Sequence, residues 1–290
     1  MNIKSSSAED EDENEIYTFK SPRPQYFPFL SPLMKYIVEN PTGKAWKKLI
    51  MTCKYFYPKN PVYPVQKMLA GRYLEWEIDN ENFDAEKVSA KLWLYDSVYA
   101  NSKLSSYNAL STILKNVVKC NLKNLTLIYQ KLTWNEFQIL TSSGVFDDLH
   151  LYDPSIKRNG EKATFDQFFE NIQDAKKIKI GFSTHESPKL NPDSVKKLAE
   201  ILPRFKMLEH FELVNICENF DISSFADFIL KNETVKIVLH YIYGSSLPDP
   251  LIEILKNIND NLVSNNKRPC IFYPGFEEFS LPTVNVVNKS

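Results

Sequence analysis

The sequence predicts an α/β protein, with a small helical unit ahead of a longer array of parallel strands and helices. Three observations predict it. Short β-rich runs recur beyond Gly71, an apolar pattern of helical spacing follows most of them, and the steps between runs leave room for about one strand and one helix. Ahead of Gly71, the segments 29–40 and 44–57 carry apolar residues at helical spacing.

The chain begins with a different texture. Residues 1–20 contain Ser5 to Ser7 and the acidic run Glu9 to Glu15, broken by Asn14, and offer almost nothing to bury. Such a stretch cannot recover its ordering entropy, so a disordered acidic tail is expected. Order is expected to begin near Pro28. In FLSPLMKYIVEN, residues 29–40, the series Phe29, Leu33, Ile37 and the series Leu30, Met34, Val38 place two adjacent apolar stripes on one short helix. Asn40, Pro41, Thr42 and Gly43 break it. The next segment, KAWKKLIMTCKYFY at residues 44–57, puts Ala45, Trp46, Leu49, Ile50, Cys53, Phe56 and Tyr57 on one face. Met51 and Tyr55 lie nearly opposite, among Lys47, Lys48 and Lys54, and Pro58 and Pro61 are expected to end the helix. Residues 25–68 thus read as a helical unit with more apolar surface than one neighbour could cover.

In the second unit, residues 71–275, the strand candidates are KLWLYD at 91–96, NLTLIY at 124–129, LHLYD at 149–153, KIKIGF at 177–182, HFELVN at 210–215, VKIVLHY at 235–241 and PCIFY at 269–273. Their anchors, Leu92, Leu125, Leu149, Ile178, Phe211, Ile237 and Ile271, are separated by steps of 33, 24, 29, 33, 26 and 34 residues. Helical patterns lie between them at Leu104 to Val118, Trp134 to Leu140, Phe165 to Ile172, Val195 to Leu202, Ile222 to Leu230 and Leu251 to Val263. So short a return from strand to strand requires parallel pairs joined by crossovers. Repeated at this period, the pattern reads as an irregular α/β solenoid of the leucine-rich-repeat kind, although the asparagine ladder of that class is not evident. Alternation of strand and helix fits a doubly wound sheet as well. Pro154 to Ala163 reads as a loop, and residues 276–290 as a C-terminal tail.

Alternation within strands nominates a binding face. With the leucine and isoleucine anchors pointing at the helices, the other face carries Trp93, Tyr95, Thr126, Ile128, His150, Tyr152, Lys177, Lys179, His210, Glu212, Val238 and His240. Among these, Trp93, Tyr95, His150, Tyr152, Lys179, His210, Glu212 and His240 are the candidate contacts to a protein ligand, because tryptophan, tyrosine and histidine suit an interface. A merely solvated sheet is the plainer account. Metal binding is not expected: His150 and His210 fall about 9–10 Å apart at 4.8 Å per strand step, and His240 is displaced about 13 Å along its strand.

The remaining classes leave little trace. Formal charge is -1 over 290 residues, which gives no global attraction to nucleic acid or to an anionic membrane. The four cysteines are scattered singly, the first residues are acidic, and no apolar run reaches the roughly 18 residues of a membrane span. The expected protein is soluble and intracellular, cytoplasmic or nuclear. Phosphate-loop, dinucleotide, zinc-protease and serine-hydrolase motifs are absent, and seven glycines leave little for phosphate-cradling loops, so neither an enzyme nor a cofactor is expected. Cys217 beside Glu218 is a nucleophile only in principle; a buried thiol is commoner. Lys44, Lys47, Lys48, Lys54 and Lys59 form a basic cluster, either a solvated helix face or a surface for an acidic protein partner.

The segment FPFLSPLMKYIVENPTGKAWKKLIMTCKYFY resembles a divergent F-box: an apolar proline-flanked opening, a helix, a break, and a helix ending in Cys53, Lys54, Tyr55, Phe56, a Cys-x-x-Phe pattern. Its position ahead of a leucine-rich-repeat-like array is similar to the architecture of the F-box-like families expanded in nematodes. Phe-Leu-Ser-Pro stands where the family usually has Leu-Pro. The resemblance implies a substrate-recognition adaptor: the helices dock a Skp-type adaptor and so join a cullin-RING ubiquitin ligase, while the array holds a protein substrate. Carried onto this chain, the docking residues are Phe29, Leu30, Pro32, Leu33, Ile37, Trp46, Leu49, Ile50, Met51 and Tyr55. The alternative from another class is a ligase-independent scaffold whose N-terminal helices only cap the array.

Overall fold

The structure, a computed structural model, describes residues 29–70, 76–101, 109–164, 166–183, 192–232, 234–265 and 270–276. The acidic tail and all but the first residue of the C-terminal tail lie outside the described residues. The chain divides into two compact units, Met1–Pro61 and Val62–Ser290.

The first unit holds α1 (Ser31–Glu39), α2 (Gly43–Thr52) and α3 (Phe56–Lys59). Pro32 sits in the first turn of α1, where no backbone N–H is needed. Thr42 caps α2, its hydroxyl accepting from the Ala45 N–H at 3.2 Å. The second helix ends earlier than its apolar stripe suggests. The Thr52 hydroxyl turns back to the Lys48 carbonyl at 2.8 Å, and Cys53 is extended, with φ -147° and ψ 119°. Phe56 and Tyr57 therefore belong to a separate turn, which accommodates Pro58 in its first positions instead of being stopped by it. This break lets the Phe56 ring meet Trp46 edge-on, centroids 6.1 Å apart.

The second unit opens with β1 (Val62–Ala70), β2 (Trp76–Ile78), β3 (Glu81–Phe83) and the long β4 (Lys91–Asn101). It continues through α4 (Ala109–Leu114), β5 (Val117–Cys120), β6 (Asn124–Ile128), β7 (Lys131–Thr133), α5 (Trp134–Leu140), β8 (Val145–Tyr152), β9 (Ser155–Arg158) and β10 (Glu161–Lys162). Last come β11 (Asp174–Gly181), α6 (Pro192–Ile201), β12 (His210–Ile216), α7 (Ile222–Lys231), β13 (Lys236–Tyr241), α8 (Asp249–Ser264) and β14 (Ile271–Phe272). All seven expected runs are strands. The helical unit is shorter than expected, because residues 62–68 form most of β1. Pro64 hid that strand; it is tolerated where β1 pairs with β4 alone, since β2 joins β1 only at Met68 to Ala70. The pattern from Leu104 to Val118 is likewise split: α4 stops at Leu114, and Val117 and Val118 enter β5. Asp166–Phe169 is a single 3₁₀ turn, and the presumed loop after Pro154 is the hairpin of β9 and β10.

The fold is mixed α/β, built on a large, mostly parallel sheet. Strands β1, β4, β6, β8, β11, β12, β13 and β14 lie side by side in chain order and every neighbouring pair is parallel. A doubly wound sheet reverses its strand order at a switch point. No reversal occurs here. Only β2 and β3 add antiparallel pairs at the β1 edge, through a turn in which Asp79 and Asn80 are both left-handed. A second sheet sets β7 beside β9, with Lys131 opposite Ser155, repeating the 24-residue step that sets Leu125 opposite Leu149.

Sheet and helices enclose one continuous core. The strands contribute Leu125, Leu149, Ile178, Phe211 and Ile237; the helices contribute Ile113, Phe137, Leu198, Phe225 and Leu255. Each such side chain gains about 1.5–3 kcal/mol on leaving water. Four anchor pairings, Leu125–Leu149, Leu149–Ile178, Ile178–Phe211 and Phe211–Ile237, stand in direct register. The two terminal anchors do not: Val98, not Leu92, faces Leu125, and Ile271 faces Leu239.

Candidate functional site

The register that aligns the core also aligns the opposite face of the sheet. One position from the anchors, Thr126, His150, Lys179, Glu212 and Val238 form a cross-strand row. Two positions nearer the strand starts, Asp148, Lys177, His210 and Lys236 form another. Two positions nearer the strand ends, Ile128, Tyr152, Gly181, Val214, His240 and Phe272 form a third.

The centre of this face is a bonded cluster on three adjacent strands. Lys179 Nζ lies 2.9 Å from Glu212 Oε1, His210 Nε2 lies 3.3 Å from Glu212 Oε2, and His240 Nε2 lies 3.6 Å from Glu212 Oε1. His240 thus reaches Glu212 although its backbone pairs with Val214, and its ring stacks on Phe272 with centroids 4.8 Å apart. Backbone spacing alone therefore overstated the separation of these histidines. The imidazoles approach opposite oxygens of one carboxylate, and among the described residues no group of three His, Cys, Asp or Glu side chains is arranged to hold a metal ion.

Burial raises the proton affinity of Glu212, but the His210 and Lys179 hydrogen bonds and the Lys179 and His240 charges outweigh it and hold its carboxyl down at about 2. His150 is held at about 4, by burial first and then by Lys179. Its Nε2 is buried and has no hydrogen-bond partner among the described residues. Burial likewise lowers His240.

Towards the strand ends the face is built around a missing side chain. A Cβ on Gly181 would lie 2.3 Å from Tyr152 Cδ2, so the Tyr152 ring rests where a side chain would otherwise stand. Asn215 secures it: its Nδ2 donates to Tyr152 Oη at 2.9 Å and to the Phe182 carbonyl at 2.8 Å. Tyr129, Asp153 and Asn215 are all left-handed at the same level of their strands, a conformation costly for non-glycine residues.

Two candidates occupy different surroundings from those expected. Trp93 is only 3% exposed; Lys119 lies over its ring at 3.8 Å and its Nε1 donates to Asn121 Oδ1 at 2.9 Å. Trp93 is therefore covered by Lys119 and not presented to solvent. Tyr95, half-buried, is 6.5 Å from it, centroid to centroid. Because Val98 is the true anchor of β4, the residue beside Thr126 is Tyr99, which is exposed and was not anticipated.

In the first unit Trp46 is fully buried, with Phe56 and Met34 also inside. Ile37, Leu49, Ile50 and Tyr55 are half-buried, while Phe29, Leu30, Pro32, Leu33 and Met51 are exposed. Elsewhere a shallow groove runs between the 3₁₀ turn at Asp166–Phe169 and the end of α6. Its acids are already engaged, Asp166 by Ser194 and Lys197, and Glu170 by Arg158. Compared with protein-family models, with curated proteins and with solved structures, the chain returns no match.

Proposed function

We propose that this chain is a substrate-recognition adaptor of an SCF-type cullin-RING ubiquitin ligase. Its F-box-like helical unit docks a Skp-type adaptor, and its leucine-rich-repeat-like α/β unit holds a protein substrate. One observation carries the reading: Leu30 is 80% exposed and Met51 73%, and Phe29 and Leu33 are exposed as well, in a unit that buries Trp46 and Phe56 completely or nearly so. Large apolar side chains left in water around a formed interior mark an interaction surface. Six lysines against one glutamate over residues 29–61 suit an acidic partner and speed the encounter. The sequential parallel strand order supports the repeat-like reading of the second unit, since each strand adds beside the last as stacked repeats do.

The test is a pull-down of the full chain with a purified Skp-type adaptor, against a Leu30→Asp, Leu33→Asp variant. Both positions are exposed, so the variant is expected to fold, which circular dichroism checks. Capture of the wild type and loss of at least tenfold affinity in the variant is the expected result. A folded wild type that fails to bind would leave the ligase-independent scaffold instead.

A further inference from the structure

We infer that the open face of the sheet recognises an acidic segment of its protein partner, at the row Lys177, His210, Lys236. This rests on the reading of that face as the recognition surface. In the neighbouring row the cation is spent: Lys179 is bound to Glu212 at 2.9 Å, and that carboxylate also holds His210 and His240. In the row below, Lys177 and Lys236 sit on either side of His210, on successive parallel strands. Both lysines are exposed, and neither takes part in an ion pair among the described residues. At about 4.8 Å per strand they stand about 10 Å apart, a span that one or two carboxylates of an extended peptide can bridge. His210 between them has its Nε2 directed to Glu212, which fixes its ring.

Charge complementarity selects the occupant and its placement. Asp148, exposed on β8 opposite Lys177, closes the row on one side with a negative charge. An acidic segment is therefore attracted over β11 to β13 and repelled beyond β8. A basic segment would meet two unpaired lysines.

The experiment titrates the full chain with a fluorescein-labelled octaglutamate peptide at low ionic strength, read by anisotropy, with an octalysine peptide as control. Three proteins are compared: wild type, Lys177→Gln with Lys236→Gln, and Asp148→Asn. We expect saturable binding of octaglutamate only, weakened about tenfold in the double variant and strengthened about threefold in Asp148→Asn, with loss of binding as salt is raised. Because one variant is expected to gain affinity, unfolding cannot imitate the pattern. Absence of octaglutamate binding, or equal affinity in all three proteins, would overturn the assignment. Both lysine substitutions lie outside the helical unit, so the adaptor pull-down on the same proteins separates failure here from failure of the ligase reading.

Discussion

Acid should weaken this fold through His150 before the Glu212 carboxylate is protonated. Unfolded, an imidazole takes a proton near 6.5; in the folded chain His150 does so only near 4, because burial and then Lys179 oppose its charge. Between those values the unfolded state holds the extra proton, so stability falls as pH drops from 6.5 towards 4 and changes no further below. At 1.36 kcal/mol for each tenfold change in proton affinity, the whole effect is about 3 kcal/mol, with about 2 kcal/mol of it between pH 7 and pH 5. The carboxylate of Glu212 loses its contribution in a lower window, from about 4.5 down to about 2, and stays out of this measurement. His240 is shifted in the same direction as His150, so the wild type alone does not isolate one ring. A His150→Gln variant does. Urea unfolding at pH 7 and pH 5 should show the wild type losing about 2 kcal/mol more than the variant, and the His150 ring resonance should titrate near 4. Parallel losses in the two proteins, or a ring titrating near 6.5, would refute a buried neutral imidazole at this position.

Two packing predictions probe the same sheet. Gly181→Ala places a methyl group 2.3 Å from Tyr152 Cδ2, so the ring must swing outward and surrender the Asn215 bond, at about 1 kcal/mol. Adding Tyr152→Ala should recover most of the steric part; strictly additive urea midpoints would disprove the contact. Asn259, buried on α8, donates to the Ile271 carbonyl at 2.8 Å and accepts from the Cys270 and Ile271 N–H groups at 3.3 Å each. Asn259→Ala should cost about 3 kcal/mol and speed hydrogen exchange at Ile271 far more than at Leu149, whereas uniform acceleration would mean that Asn259 does not hold β14.

Much of this fold is legible in the sequence because each central strand carries its own periodicity. Leu149 and Leu151, Ile178 and Ile180, and Phe211 and Leu213 alternate with polar residues, Ile237 and Leu239 flank Val238, and each pair is buried. The failures are strands without that signature. In β1, Pro64 interrupts the pattern, and burial shifts from Val65 to Met68 and Ala70 across an irregularity in its pairing with β4. Val117 and Val118 continue the apolar texture of the helix before them, so the first two residues of β5 were absorbed into it. Helix ends fail for a related reason: the stripe through Phe56 and Tyr57 is helical in spacing, but a side-chain bond from Thr52 and the packing of Phe56 on Trp46 decide where the chain turns.

The open face was legible strand by strand and illegible across strands, and the difference is physical. Alternation tells which side a residue takes, whereas neighbours across parallel strands depend on register, which is fixed by how the whole core packs. Anchor choice was correct for β6 through β13, so His150, Lys179 and Glu212 fall in one row as their common offset from the anchors requires. At β4 the anchor was six residues early. Six is an even shift, so it leaves the face unchanged and alters the neighbours: Tyr99, not Trp93 or Tyr95, stands beside Thr126, and Trp93 lies buried beneath Lys119. Side-chain reach adds a second term that spacing omits. His240 pairs with Val214, yet its ring extends back along the strand to within 3.6 Å of Glu212 Oε1, and this reach makes one cluster of residues that the backbone holds apart. The two lysines follow from the same arithmetic: Lys179 takes Glu212, while Lys177, opposite Asp148, and Lys236 are exposed and form no ion pair among the described residues.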